Sequence, residues 1–366
     1  MQLLDSHLNQ SEAASERLHQ ELQEIVHKLK IESTFHISHP DYKPLELPKE
    51  AVARFQHLPE VLQNKYLSLQ ISSFLYGIYY NGSLKETLAL DSEESNETLH
   101  KNLENNTYLG IDLEFYDQLH SFNHGQGFLS SGWRVVKHDS DSSLAVNKNG
   151  LTVYATRDRH LTPEQQTATV GDLIAIRMPK NMVQNGFYMA VGNAGPQNHQ
   201  DCVRVYFNLT PSGATAVMNS LTAEINAISI PFSFKALYNP DDYKRHDSAV
   251  LYFDKKHYQV IQSVLQKVYV ENQFYFNTLG PLFTKVLAPG LTLAEEPRYK
   301  FAEQESFGMN RCQMVANGLL AAWQQGDDSP ENRMTAIRQE FALYSIEMQR
   351  PYLNANSEDI YTPLQL

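Results

Sequence analysis

The stretch Ile230–Phe253, IPFSFKALYNPDDYKRHDSAVLYF, decides the fold. Apolar and polar residues alternate, break at Asn239-Pro240, pass a short polar corner and then alternate again. That pattern predicts two strands joined by a loop. Lys235 sits on the first strand with Phe234 and Tyr238 as near neighbours. A lysine among aromatics either snorkels its ammonium to water or occupies a pocket that needs it, and desolvation there favours the neutral amine of a general base. The corner then brings Lys244, Arg245 and His246 together, a candidate anion-binding patch.

Working outward, the chain has 366 residues, with 42% hydrophobic residues and 11% aromatic ones. This describes a folded protein with a large core. Thirty Lys and Arg stand against 42 Asp and Glu, a formal charge of -12. Binding to nucleic acid is therefore not expected, since phosphate neutralisation needs surplus positive charge. Any basic site must be local and must work against the overall field. The two cysteines, Cys202 and Cys312, lack metal-ligand spacing and read as reduced, buried thiols. No run of apolar residues is long enough to span a membrane, and the N-terminus lacks a signal-type apolar region. A cytoplasmic, unglycosylated protein is expected.

Residues 1 to about 30 carry Leu18, Leu22, Ile25 and Leu29 at helical spacing. Pro40, Pro44 and Pro48 then predict a loop. Glu50–Tyr80 returns to helical periodicity and ends at Asn81-Gly82, a stop signal. Residues 85 to 107 read as a solvated acidic loop or linker. From Gly127 the texture is that of strands. Asn149-Gly150 between alternating runs is a strong hairpin signal. Further strands are predicted over Asp172–Arg177, Gly186–Val191 and Val203–Leu209, and Thr210-Pro211 opens a helix. Helices are expected from Lys255 to about Gln273, over Ser306–Gln325 and over Pro330–Met348. The fold class is α+β: a mostly antiparallel sheet with helical N- and C-terminal parts. The boundaries expected are a helical region over 1–110, an α+β domain over 111–350 and a disordered tail over 351–366.

Dinucleotide, Walker, nucleophile-elbow, zincin and kinase motifs are all missing. His36 and His39 precede Pro40 in a predicted loop, so no metal is expected, and no cofactor either. What remains is a set of cations on or beside strands: Arg177, Arg204, Lys235, Arg245, Arg298 and Arg311. Arg204 and Tyr206 are two apart on one strand and so share a face, and Tyr252 lies on the strand after the corner. Arginine beside tyrosine on a sheet face suits recognition of carboxylate or phosphate. Spacing alone does not bring these residues together.

Four blocks resemble the HopA type III effector family: GDLIAIRMPKNMVQNGFYMAVGNAGP (171–196), VRVYFNLTPSGA (203–214), FSFKALYNPDDYKRHDSAVLYF (232–253) and ESFGMNRCQMVANGLLAAW (305–323). YLSLQISSFLYGIYYNGS (66–83) extends the likeness more weakly upstream. Relatives of this family serve as the lyase component of class V lanthipeptide biosynthesis, and they are remotely similar to phosphothreonine lyase effectors. The resemblance implies a cofactor-independent lyase that eliminates phosphate from phosphoserine or phosphothreonine in a peptide, with a Ser/Thr kinase as a possible partner. Residue by residue, Lys235 falls at the base lysine and Arg204 at a phosphate-contacting position. Arg245 falls at a phosphate-binding arginine, Tyr252 at a substrate-contacting tyrosine and, more loosely, Arg311 at a late phosphate-binding arginine. The sequence departs at the general acid, where the lyases have histidine and this chain has Tyr206. Tyrosine is the weaker acid, and neighbouring arginines are expected to lower its pKa. His246, on an expected exposed corner, is the substitute. The alternative is a non-catalytic effector-like protein that acts through protein partners and would leave the cytoplasm by type III secretion.

Overall fold

The computed structural model describes residues 2–91, 107–108, 110–139, 143–198 and 201–365. Most of the expected acidic loop, residues 92–106, lies outside them. The first helix, α1 (Gln2–Lys28), buries Leu18, Leu22 and Ile25 as their spacing predicts. An antiparallel sheet follows, β1 (Lys30–Ser33), β2 (His36–His39) and β3 (Tyr42–Glu46), where proline punctuation predicted a loop. Pro44 is tolerated because β3 is an edge strand, on which a missing N–H leaves no partner unsatisfied.

The predicted helix over Glu50–Tyr80 is two helices, α2 (Lys49–Gln56) and α3 (Glu60–Leu75), divided at Pro59. A single π-turn, Tyr76–Tyr80, continues α3 and stops at Asn81-Gly82, where Gly82 takes a φ of 76°. The pair β4 (Thr107–Tyr108) and β5 (Ile111–Asp112) leads into α4 (Leu113–Phe122), which sequence periodicity did not reveal. Asp112 caps α4 by accepting the Phe115 N–H at 2.8 Å.

A four-stranded antiparallel sheet comes next: β6 (Phe128–His138), β7 (Ser143–Lys148), β8 (Leu151–Thr156) and, after the short α5 (Arg157–His160), β9 (Leu173–Met178). Asn149 and Gly150 join β7 to β8 with φ values of 51° and 81°, as the Asn-Gly signal requires. This sheet has its own small core, built on Trp133, Leu144, Val146 and Ile176.

The seven-stranded sheet that carries the candidate site is entirely antiparallel. Its strands are β10 (Asn181–Gln184), β11 (Phe187–Val191), β12 (Cys202–Phe207), β13 (Phe232–Leu237), β14 (Ala249–Asp254), β15 (Lys285–Ala288) and β16 (Leu291–Glu295), in the spatial order β10-β11-β13-β14-β12-β16-β15. The helix α6 (Pro211–Ala227) links β12 to β13, and α7 (Tyr258–Asn272) follows β14. One face is mostly apolar: Val205, Phe207, Phe234, Leu251 and Phe253 are buried, and α6 packs on β13. The helices α8 (Phe307–Gln324) and α9 (Pro330–Leu343) complete the chain and are capped by Ser306 and Ser329. No helix among the described residues is long and apolar enough to cross a membrane.

The tail corrects an expectation. Residues 351–365 are packed, not disordered, because four of their apolar side chains (Tyr352, Leu353, Tyr361 and Leu364) are buried in the main core. The Leu364 N–H donates to the Leu287 carbonyl at 2.8 Å, and Tyr361 packs edge-on against Tyr258 with ring centroids 4.8 Å apart. Few apolar residues at irregular spacing give no periodic signal, yet they are enough to seat the segment.

Candidate functional site

The register of the large sheet builds the site. Directly opposed residues share a face, and Lys235 lies opposite Met189 on one side and Val250 on the other. Tyr252 lies opposite both Ser233 and Arg204, and Tyr206 opposite Val250. Phe187, Lys235, Tyr252, Arg204 and Tyr206 therefore all point to the face away from α6. A cleft of about 900 Å³ opens there, lined by Arg204, Lys235, Tyr252, Glu296 and Lys300 among others. Its far wall is the loop 296–306, between β16 and α8.

Two aromatic rings space the cations. Lys235 Nζ lies 4.1 Å from the Phe187 ring centroid and 5.6 Å from that of Tyr252. The Arg204 guanidinium lies 5.2 Å from the same Tyr252 ring, and that of Arg245 lies 5.9 Å from Phe187. Cation–π attraction of this kind holds a charged group over a ring without neutralising it. Among the described residues Lys235 Nζ has no hydrogen bond or ion pair. It lines the cleft, near enough to Asp247 to help hold that carboxyl ionised.

Both strand-associated arginines are already engaged. Arg204 Nε donates to Glu296, and Lys300 Nζ holds the other carboxylate oxygen of Glu296 at 2.6 Å. Burial opposes the Arg204 charge, but Tyr252, Tyr206 and Glu296 more than offset it, so the guanidinium stays charged. Arg245 forks onto Asp247 with bonds of 2.5 and 2.8 Å. Burial pushes the Asp247 carboxyl upward, and Arg245 overrides it, leaving a net depression below the ordinary carboxylate range. A depressed folded-state pKa adds stability above the unfolded value, and that stability is lost as pH falls through the folded value. Asp247→Asn is therefore expected to flatten the acid limb of a stability-versus-pH curve below about pH 4, the ordinary carboxylate range. Chemical denaturation at stepped pH checks this, and an unchanged limb would remove Asp247 from the account.

Four expectations are corrected. Tyr206 shares the face but not the cleft: it is only 2% exposed, sealed beneath Tyr80 and Phe307 with ring centroids 6.4 Å away in each case. Burial raises its phenol well above the ordinary value and Arg204 offsets only part of the rise, so the predicted lowering does not occur. Arg311 is 1% exposed and holds the tail, donating to the Pro351 and Leu353 carbonyls at 2.7 and 3.1 Å. It has no path to a phosphate in the cleft. Arg177 belongs to β9 of the separate four-stranded sheet, opposite Leu129, and is exposed there. His246 is not on an exposed corner but lies against Gly82, where burial pulls its pKa down to about 4. Arg298, also among the cations noted in the sequence, lines the cleft and pairs with Asp201 at 3.0 Å.

Sequence reasoning did not single out Glu296, Lys300 or Phe187. Glu296 directly follows a strand, β16, that the sequence did not suggest. Its partner Arg204 is 92 residues away, so no local signal links them. One acidic group with metal-ligand potential occurs elsewhere among the described residues, Glu24, His39 and Asp41. Lys28 Nζ already occupies the cation position, 2.7 Å from Asp41 and 3.3 Å from Glu24.

Residues 178–353 match the HopA1 effector protein family. The match spans a little under half of the chain. The HopA1 segment contains Arg204, Lys235, Arg245, Tyr252, Glu296 and Arg311, and it starts one residue after Arg177. Two solved effector structures resemble the chain in part. One, from Pseudomonas syringae pv. tomato strain DC3000, is 17% identical with a TM-score of 0.43, over 80% of this chain and 96% of that one. The other, from Pseudomonas syringae pv. syringae strain 61, is 14% identical with a TM-score of 0.40, over 67% and 81%. Scores this low carry no argument about shape or activity. No curated protein matches the sequence.

Proposed function

We propose that this chain, similar over residues 178–353 to the HopA1 effector protein family, is a cofactor-independent lyase that eliminates phosphate from phosphoserine or phosphothreonine in a peptide, leaving a dehydroamino acid. The observation that carries the reading is Lys235, a lysine without an ion pair, held over Phe187 and Tyr252 in a cleft whose neighbouring cation is Arg204. Elimination needs one base at the α-carbon and positive charge at the leaving phosphate, and this face supplies both at strand spacing. Lys235 Nζ, once it has lost its own proton and is the neutral amine, takes the α-proton. The electrons of that C–H bond form the Cα=Cβ double bond while the Cβ–O bond breaks. The phosphate leaves with the bonding pair and takes up a proton from the new Lys235 ammonium or from water. Arg204 stabilises the departing charge, with Arg245, 5.9 Å from the Phe187 ring centroid, adding to the positive field, and Tyr252 forms the wall against which the side chain lies.

A second reading has one observation in its favour. Tyr206 stands at the position of the general acid and is sealed away from the cleft. A protein of this design could bind a phosphorylated partner and act through it without elimination. Incubating the purified protein with phosphothreonine and phosphoserine peptides, without added cofactor, separates the two. The lyase is expected to give peptides lighter by one phosphoric acid in the mass spectrum. Peptide that is bound but unchanged, also after addition of a Ser/Thr kinase partner, would overturn the lyase in favour of binding.

A further inference from the structure

Glu296 stands where an incoming phosphate has to stand. One of its carboxylate oxygens accepts from Arg204 Nε, and both side chains are largely buried, 11% and 13% exposed. Both line the cleft that holds Lys235. Out of bulk water such a pair is held far more strongly than on a surface, and breaking it leaves a poorly solvated charge unless something replaces the lost partner. Burial raises the Glu296 carboxyl, and Arg204 and Lys300 more than offset this, so the group remains ionised.

We infer that Glu296 is a specificity-determining residue: an internal carboxylate on Arg204 that a phosphorylated side chain can displace and an aspartate or glutamate side chain cannot. This rests on the phosphate position proposed above, at Arg204, but not on the elimination step. The argument is one of exchange. Replacing one carboxylate on Arg204 by another returns the same charge and the same acceptors, and it adds the cost of stripping water from the newcomer. A phosphomonoester brings about -1.5 to -2 charge and three acceptor oxygens, so it gains where a carboxylate breaks even. Glu296 is built to give way. Its other oxygen is held by Lys300 Nζ at 2.6 Å, four residues on, so after displacement the carboxylate keeps a cation. Only the bond to Arg204 changes hands. Without Glu296, Arg204 would accept any anionic side chain presented to it.

The experiment measures binding by calorimetry in the Lys235→Ala background, which prevents turnover. Three peptides are used, identical except for phosphothreonine, glutamate or threonine at one position. With Glu296 present, the phosphothreonine peptide is expected to bind and the glutamate peptide to bind no better than the threonine peptide. Glu296→Gln keeps the shape and removes the charge. It is expected to tighten the glutamate peptide by about tenfold, the scale of one recovered charge-assisted bond. The preference for phosphate should shrink accordingly. Weaker binding of both charged peptides would make Glu296 only an orienting partner of Arg204 and overturn the inference. So would an unchanged preference. If Glu296→Gln does not melt cooperatively, Glu296→Asp, which draws the charge one carbon back from Arg204, is expected to shift the preference in the same direction by less, and no shift overturns the inference. Failure of the phosphothreonine peptide to bind at all with Glu296 in place would overturn the phosphate site and this inference together. Binding without turnover in the unsubstituted protein would overturn only the lyase.

Discussion

Lys235→Ala is expected to slow phosphate elimination by at least about 10²- to 10⁴-fold, the contribution of one positioned base. Single-turnover assays with a phosphothreonine peptide read this directly. The expectation follows from how few groups are available. Arg204 and Arg245 each carry a carboxylate, Tyr206 is sealed from the cleft, and His246 lies half-buried against Gly82. Lys235 alone presents an unengaged nitrogen between Phe187 and Tyr252. Binding should fall much less, since Arg204 still faces the phosphate, so the loss belongs in kcat more than in KM. A variant that turns over at the original rate would show that the proton is taken elsewhere and end this assignment.

The largest expected loss of stability lies outside the cleft. Glu295 is 3% exposed and ties the C-terminal segment to the end of β16. One carboxylate oxygen accepts from Lys255 Nζ and Ser357 Oγ at 2.7 Å each and from the Tyr361 hydroxyl at 2.9 Å. The other accepts the Asn354 N–H at 2.9 Å. Burial raises this carboxyl and the Lys255 bond leads the groups that reverse the shift. Glu295→Ala removes the acceptor and leaves four buried or half-buried donors short of a partner. The expected cost is about 3–5 kcal/mol, the range found on breaking a buried ion pair from one side. Urea denaturation measures it. Limited proteolysis should then cut first between 351 and 365. A loss under about 1 kcal/mol, typical of a surface pair, would mean that the apolar contacts of Tyr361 and Leu364 hold the tail unaided.

The sequence made the face legible but not its contents. Alternation around Asn239-Pro240 was enough to place Lys235 and Tyr252 on neighbouring strands, and a two-residue spacing put Arg204 beside Tyr206. These are local, periodic signals, and the backbone obeys them. What covers the face is not local. Tyr206 reads as a site residue because nothing in its own strand reveals that Tyr80, from a helix more than a hundred residues earlier, closes over it. Arg311 reads as a phosphate ligand because the acceptors that engage it come from a tail with no periodicity. Glu296 was invisible for the same reason, since its meaning lies entirely in its distant partner. β15 and β16 went unread because both are short and β16 is buried on both faces, which erases alternation. The general pattern is that charges were found and the company they keep was not.

The four-stranded sheet has one consequence for how the molecule comes apart. Its first and last strands meet at Phe128 opposite Met178, so the chain leaves and re-enters at adjacent points. Its core shares no residue with the main one. A unit with neighbouring ends and separate packing can open while the remainder stays shut. Amides of β7 should therefore exchange with deuterium through excursions that leave those of β13 protected. The cleft, lined by residues of β10 to β14 and of the loop 296–306, takes no lining residue from that unit. The excursion between α4 and β10 is expected to breathe on its own, and uniform exchange across β7 and β13 would show the two sheets to be one cooperative unit.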